Sequence, residues 1–351
     1  MYIFKGMNIN QIYQDMFDTV EKEGLDITAR GFVTKEIRPV TIEILNPRER
    51  FVSSRNGFNT AFSVAEILWF LSGSSHKEMI LHYIPSFVQF LDEGYDEFHG
   101  GYGPRIFRAG YDERKEYDIK PYINQFEECY KKLKKDINTR QAVITLWNPW
   151  KDNLQEGSKD YACNNVCYLK VREGKLYWTQ VIRSNDLIFG TGQNVFQFTH
   201  FQEIMACWLG VDVGTYTQIT DSLHVYQNDF YKKEEKSPNR LDIYNYFQPV
   251  KMEGTKEEFD IMLKVMLDVE KEWRAGKFDK IVKFPGYWND FMLVLKIFNL
   301  IKYKKEKEAM NEWSKMKNEY QWSMANWMQK HVKDEFSLKR LKAGTDAVFF
   351  L

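Results

Sequence analysis

With 351 residues, 49 Lys plus Arg and 49 Asp plus Glu, the chain carries a formal net charge of zero. Balanced charge offers no global field to a polyanion or an anionic bilayer, so neither DNA nor a membrane is expected as a partner, and any phosphate recognition has to be local. Hydrophobic residues at 44% and aromatics at 16% suffice for a large core in one domain or two.

Residues 9–23 carry apolar side chains at helical spacing and predict an amphipathic helix, after which Arg30-Gly31 reads as a loop. Residues 38–45 alternate like a strand. Residues 60–72 are apolar almost throughout and predict a buried helix with one acid, Glu66. Gly100-Gly-Tyr102-Gly-Pro-Arg105 reads as a turn, and Ile123, Phe126, Tyr130 and Leu133 mark a further helix. Residues 140–147 predict a strand ended by Asn148-Pro149. Residues 166–171 and 176–183, joined by Glu173-Gly174-Lys175, predict an antiparallel hairpin. A one-sided helix over 194–209 and a strand over 214–220 lead to His224 and Tyr226.

Beyond Lys232 the texture becomes lysine-rich and aromatic, with helices expected over 257–273, 287–301 and 302–332. Strands in the middle flanked by helices make the fold class α+β. The composition shift at 236–240 divides a body of residues 1–235 from a helical C-terminal extension, 236–351, packed on the same domain. No run reaches the roughly 18 apolar residues that span a bilayer, and Met1-Tyr-Ile-Phe-Lys-Gly lacks the layout of a signal peptide. Cys129, Cys163, Cys167 and Cys207 are sparse and irregular, which reads as reduced thiols in a cytoplasm. Cys163 and Cys167 have no second cysteine pair and the six histidines are scattered, so no metal is expected.

The densest chemistry is Tyr161-Ala-Cys163-Asn164-Asn-Val-Cys167, followed by Arg183-Ser184-Asn-Asp186. A thiol needs a nearby cation to become a thiolate, and a phosphorylated substrate needs Arg and Ser donors. One hairpin can supply both. Glu66 in an apolar helix is costly as an anion unless it is hydrogen-bonded, so it is either paired or used for proton transfer. His224 and Tyr226 share a face two residues apart. Arg30 and Arg140, taken singly, read as surface charges.

Together these positions resemble the thymidylate synthase and pyrimidine-nucleotide hydroxymethylase family, from about Thr28 to Tyr226, close to 200 residues. Glu66-Ile-Leu-Trp-Phe-Leu71 is similar to the family's Glu-Leu-Leu-Trp-Phe-Leu, whose Glu organises proton transfers. The resemblance implies the family's mixed or antiparallel sheet flanked by helices. It also implies Cys163 as nucleophile, with Tyr102 near the reacting base and Asn164 beside it in the catalytic set, and Arg30, Arg183 and Ser184 on the nucleotide phosphate. Arg140 would act on the phosphate of a partner subunit in a homodimer. Asn194 would read the pyrimidine edge, and His224 and Tyr226 would hold the sugar hydroxyl. Asp186, with Gly190 and Phe87, would bind the folate co-substrate, 5,10-methylenetetrahydrofolate. Ala347-Val-Phe-Phe-Leu351 would be the closing tail.

Several departures bear on the reaction. Synthases resemble one another in Pro-Cys-His, Asp-Thr-His-Leu-Tyr and a paired arginine; this chain has Ala162-Cys163-Asn164, Ser222-Leu-His-Val-Tyr226 and Arg140-Gln141. Two tryptophans of the synthase folate wall correspond to Phe87 and Phe90. These features resemble phage-type deoxycytidylate hydroxymethylases, yet those carry Asp where this chain has Asn194. An amide can donate to O4 and accept from N3–H of uracil, whereas cytosine presents the opposite pattern. The expectation is therefore 5-hydroxymethylation of dUMP. Thymidylate synthesis, dCMP or CMP hydroxymethylation and a non-catalytic nucleotide binder stand as the alternatives.

Overall fold

The computed structural model describes residues 1–55, 57–112, 119–154, 157–228 and 240–350, without the side chains of 346–350. Alternation builds the larger sheet. Its strands are β1 (Tyr2–Gly6), β4 (Val40–Ile44), β5 (Val143–Thr145), β6 (Asn164–Arg172), β7 (Lys175–Ile182) and β9 (Asp212–Thr220), in the order β1-β4-β9-β7-β6-β5. The β1–β4 and β7–β9 pairs are parallel and the rest antiparallel, so the sheet is mixed. A smaller sheet runs β2 (Leu25–Ala29), β3 (Phe32–Ile37), β10 (Leu223–Tyr226) and β8 (Asn185–Asp186). This bears out the expected α+β class.

One face of the larger sheet buries Cys167, Leu169, Leu176, Trp178 and Tyr216. On the other face Ile3, Tyr168 and Ile219 stay 61%, 40% and 39% exposed, a row of apolar side chains without full cover. Helix α7 (Gly192–Leu209) packs on the buried face and against α2 (Thr60–Leu71). All twelve residues of α2 are buried. Asn59 caps it by accepting the Phe62 amide at 3.1 Å, and the chain turns off at Gly73, φ +67°.

The total burial of α2 comes from its second side. Helices Tyr287–Lys302 and Asn318–Met328 pack there, and the Thr60 hydroxyl hydrogen-bonds that of Ser323. Behind α7, the Tyr320 hydroxyl donates to Tyr287 at 2.6 Å, and Tyr287 in turn hydrogen-bonds His200 Nε2. Helix Lys256–Arg274 opens with a reciprocal capping box between Thr255 and Glu258.

Two expectations are corrected. Residues 302–332 are not one helix: Glu306–Trp313 and Asn318–Met328 are separate, with the turn passing through Asn318 at φ +62°. Asn tolerates that left-handed conformation, and Trp313 Nε1 fixes the corner by donating to Gln321 O at 2.9 Å. The strand expected over 140–147 is only Val143–Thr145, because it lies at the sheet edge with β6 as its single partner. The boundary expected at 235/236 lies outside the described residues, as do the side chains of the expected tail 347–351. No helix of the described residues is long and apolar enough to cross a membrane.

Leu68, fully buried in α2 between these two helical layers, tests the packing. Leu68→Ala is expected to cost about 2–5 kcal/mol through lost contacts and a residual cavity, read as a lower urea midpoint with an unchanged m-value.

Candidate active site

The hairpin register brings the thiol and the guanidinium together. Asn164 pairs with Ile182, and just beyond it the Arg183 amide donates to Cys163 O at 3.0 Å. Arg183 Nε donates to Ala162 O at 2.9 Å and Nη2 to Tyr161 O at 3.1 Å, while its carbon sits 5.5 Å from the centre of the Trp147 ring. Those bonds use two of five guanidinium N–H groups. Cys163 is half-buried; burial pushes its thiol up, against the opposing pull of Arg183 and Arg30. Asp160 and Asp186 push the same way as burial.

Tyr102 clamps the start of β6. Its hydroxyl accepts from the Cys163 amide at 3.1 Å, the Asn164 amide at 3.0 Å and Asn164 Nδ2 at 2.8 Å. Its ring meets Phe70 and Phe198 edge-on. The following glycine is required sterically, since a Cβ on Gly103 would stand 2.4 Å from Ser74 O. Asn164 also donates to Asn194 Oδ1 at 3.0 Å, and Asn194 Nδ2 donates to Asn185 Oδ1 at 3.3 Å.

Glu66 faces this cluster from α2. Burial raises its carboxyl to about 8; Asp160 adds to that, and a hydrogen bond from Gln197 Nε2 opposes it. Asp160, three residues before Cys163, accepts the Gly100 amide at 2.9 Å, and its own carboxyl is raised by burial. A Cβ on Gly100 would lie 2.7 Å from that carboxylate, so glycine lets the acid approach. Asp160, Gln180 and Gln197 were not foreseen: a charged or amide side chain in a polar loop, a strand or a helix carries no signal until its neighbours are known.

His224 and Tyr226 come from β10, which pairs with β8 so that His224 lies beside Asp186. His224 Nδ1 lies 3.2 Å from Ser222 Oγ, and Ser222 donates to Glu36 at 2.5 Å. Burial lowers the imidazole, so it is neutral at pH 7. The two rings meet edge-on at 5.5 Å. Exposed Arg30 occupies the tip of the β2–β3 hairpin at φ +52°, close enough to influence both Cys163 and His224. Asp186 Oδ1 caps the π-helical turn Leu187–Thr191 by accepting from Ile188 N and Phe189 N at 2.8 and 3.2 Å, and Gly190 lies within that turn. Ser184 is half-buried directly after Arg183. Phe87 packs among Phe62, Phe90 and Phe98 at 5.7, 5.0 and 5.2 Å; Phe62 is one helical turn before Glu66.

Arg140 is not gathered here. Leu169 N donates to Ala142 O, so the register carries Arg140 toward the far end of β6, roughly 25 Å along the strand from Cys163. A cavity of about 340 Å³ lined by Arg105, Tyr111, Trp147 and Lys151 does not include Cys163, Glu66 or Asn194 in its wall. Among the described residues no three His, Cys, Asp or Glu side chains converge as a metal site.

Residues 11–253 match the family profile described as thymidylate synthase. The chain belongs to the thymidylate synthase family. It is 44% identical over 233 residues to the deoxyuridylate hydroxymethyltransferase of Bacillus phage SP01, covering 66% of this chain and 60% of that protein. The proteins of the same name from Delftia phage PhiW-14 and Pseudomonas phage M6 are each 30% identical, over 217 and 232 residues. These cover 57% and 65% of this chain and 57% and 62% of those proteins. The chain thus spans about three-fifths of the length of these relatives, at 60%, 57% and 62%. The family expected from the sequence is borne out.

Because Glu66 holds its proton in the folded protein up to about pH 8 and gives it up near its ordinary value when unfolded, the native state binds the extra proton between those limits. Stability is therefore expected to fall as pH rises through that window, by at most about 1.4 kcal/mol per pH unit. Urea midpoints at about pH 5.5 and about pH 7.5 should show this in wild type and a shallower fall in Glu66→Gln.

Proposed function

We propose that the protein transfers a one-carbon unit from 5,10-methylenetetrahydrofolate to C5 of dUMP and releases 5-hydroxymethyl-dUMP. The observation that carries this is the cross-strand pairing of Cys163 with Arg183, beside an amide chain that ends at Asn194. The names of the phage relatives support the choice of dUMP and of hydroxymethylation.

In this reading the phosphate takes the unused N–H groups of Arg183, with Ser184 and the hairpin-tip Arg30, and His224 and Tyr226 hold the deoxyribose hydroxyl. Asn194 pairs with the uracil edge. Sγ of Cys163 adds to C6, which makes C5 nucleophilic. The folate supplies the carbon. Aromatic surface around Phe87 and the partly exposed Phe90, together with Asp186 and Gly190, fits a flat co-substrate. Glu66, titrating at about 8, takes up and returns a proton near neutrality, as removal of the C5 proton requires. Loss of the C5 proton and of tetrahydrofolate leaves an exocyclic methylene on the nucleotide, water adds to it, and Cys163 leaves. Asn164 holds Tyr102, Asn194 and Gln180 together, so its part is structural support of the nucleophile and the base reader.

Incubation with dUMP and methylenetetrahydrofolate should give hydroxymethyl-dUMP by mass without dihydrofolate absorbance; stoichiometric dihydrofolate would instead establish thymidylate synthesis. Cys163→Ser should lower turnover by on the order of 10³-fold or more while leaving dUMP binding within a few-fold.

The distance of Arg140 from Cys163 and the apolar row Ile3, Tyr168 and Ile219 support a homodimer in which Arg140 serves the neighbour's phosphate. The C-terminal helices, packed on α2 and α7, are read as part of the same domain, and the four free thiols as those of a cytoplasmic protein. Mixing Cys163→Ser with Arg140→Ala subunits should restore about a quarter of wild-type activity, since half of the random dimers contain one complete site. No recovery would exclude action of Arg140 across the interface, and full activity of Arg140→Ala alone would place it outside the site.

A further inference from the structure

Asn194 is the last member of a buried hydrogen-bond chain whose direction is set at its other end. Trp178 Nε1 donates to Gln180 Oε1 at 2.9 Å, and Cys167 Sγ approaches the same oxygen at 3.0 Å. Gln180 Nε2 donates to Asn164 Oδ1 at 2.9 Å, and Asn164 Nδ2 donates to Asn194 Oδ1 at 3.0 Å. Trp178, Cys167, Gln180 and Asn164 are each no more than 1% exposed, so bulk water cannot replace a lost partner.

An amide can be turned end for end at little cost where its neighbours are hydroxyls or water, but an indole N–H can only donate. Gln180 must therefore point its carbonyl at Trp178 and its N–H groups at Asn164. Asn164 must point its carbonyl at Gln180, which leaves its two N–H groups for Tyr102 and Asn194. Asn194 must keep Oδ1 on the Asn164 side. Reversing any one of these amides sets donor against donor in a dry interior, the arrangement that buried polar groups avoid.

The geometry points to Trp178 and Gln180 as positioning residues that select uracil over cytosine by fixing the orientation of the Asn194 amide. This rests on the reading above that Asn194 faces the pyrimidine edge. With Oδ1 held toward Asn164 and one N–H toward Asn185, the amide has a second oxygen lone pair and a second N–H left to offer. Uracil presents an N3–H donor beside the O4 acceptor and matches that pattern. Cytosine presents a bare N3 beside an amino donor and needs the amide reversed, and the reversal propagates a donor clash back to Trp178. Neither Trp178 nor Gln180 touches the substrate, so their effect is on discrimination and not on the bond-making steps.

The test measures dissociation constants of dUMP and dCMP by calorimetry on the full chain. Wild type is expected to prefer dUMP. Gln180→Met keeps the length of the side chain but breaks the directional link, so the dUMP preference should shrink tenfold or more, chiefly through tighter dCMP binding. Trp178→Phe, which removes the donor-only anchor, should shrink it in the same sense and serves if Gln180→Met does not fold. Asn194→Asp is the control and should move the preference toward dCMP. If Asn194→Asp shifts the preference while Gln180→Met and Trp178→Phe leave it within twofold, or weaken both nucleotides alike, the positioning role is overturned. If Asn194→Asp leaves the preference unmoved, Asn194 does not read the base and the inference falls with that reading.

Discussion

A single backbone hydrogen bond, from the Arg183 amide to the Cys163 carbonyl, fixes what the rest of the site can be. It closes the open end of the β6–β7 ladder and brings the residues that carry the thiol and the guanidinium side by side. A slip of one residue would turn every side chain of the strand to the opposite face. The ladder contains one irregularity, between Asn164 and Val166, where the register shifts. There the Asn165 carbonyl leaves the hairpin and accepts from Leu146 N and Trp147 N at 2.7 and 3.0 Å. The extra residue is what sends Asn164 inward beside Gln180, on the face that Cys167 and Leu169 also occupy. Without the bulge, Asn165 would take that place and the amide chain to Asn194 would have no middle member.

The second constraint is burial from outside the family's own segment. The family match ends at residue 253, and the helices after it lie against α2 and α7, the two helices that carry Glu66 and its partner Gln197. The Thr60–Ser323 bond and the His200–Tyr287–Tyr320 chain tie those layers together through polar groups that are themselves buried. Arg50 is fully enclosed with Glu203, and its guanidinium lies 5.6 Å from the centre of the Tyr287 ring. Desolvation is the leading cause of the raised Glu66 carboxyl, so helices far along the chain help set the proton affinity of an acid that sequence alone marks only as an oddity in an apolar run.

Legibility follows the range of the interaction. Helix α2, the β6–β7 hairpin and helix α7 could be read because their signals are local: an apolar run of helical length, a Glu-Gly turn between alternating strands, and a one-sided apolar face. The break within 302–332 was hidden because Lys, Glu and Met on either side are all good helix formers and only the φ of Asn318 marks it. Asp160 was hidden for a different reason. Its importance is its influence on Glu66, from which it is separated by more than ninety positions of chain, and its carboxylate is seated by the close approach to Gly100. Gln180 and Gln197 look like ordinary amides in a strand and a helix. The resemblance supplied Cys163, Arg183 and Asn194, but not the side chains that hold them in orientation.

Taken together, the charges of the resting site follow from burial. The Cys163 thiol is held up by burial, Glu66 keeps its proton to about pH 8, and His224 is neutral because burial pushes it down. The thiol, the Glu66 carboxyl and the His224 imidazole are thus uncharged at pH 7, near the guanidinium groups of Arg183 and the exposed Arg30. In the proposed binding mode a phosphate dianion would meet the two guanidinium groups and the pyrimidine ring would meet neutral polar groups. In the proposed reaction both groups give up a proton, the thiol before it adds to C6 and Glu66 before it accepts the proton from C5.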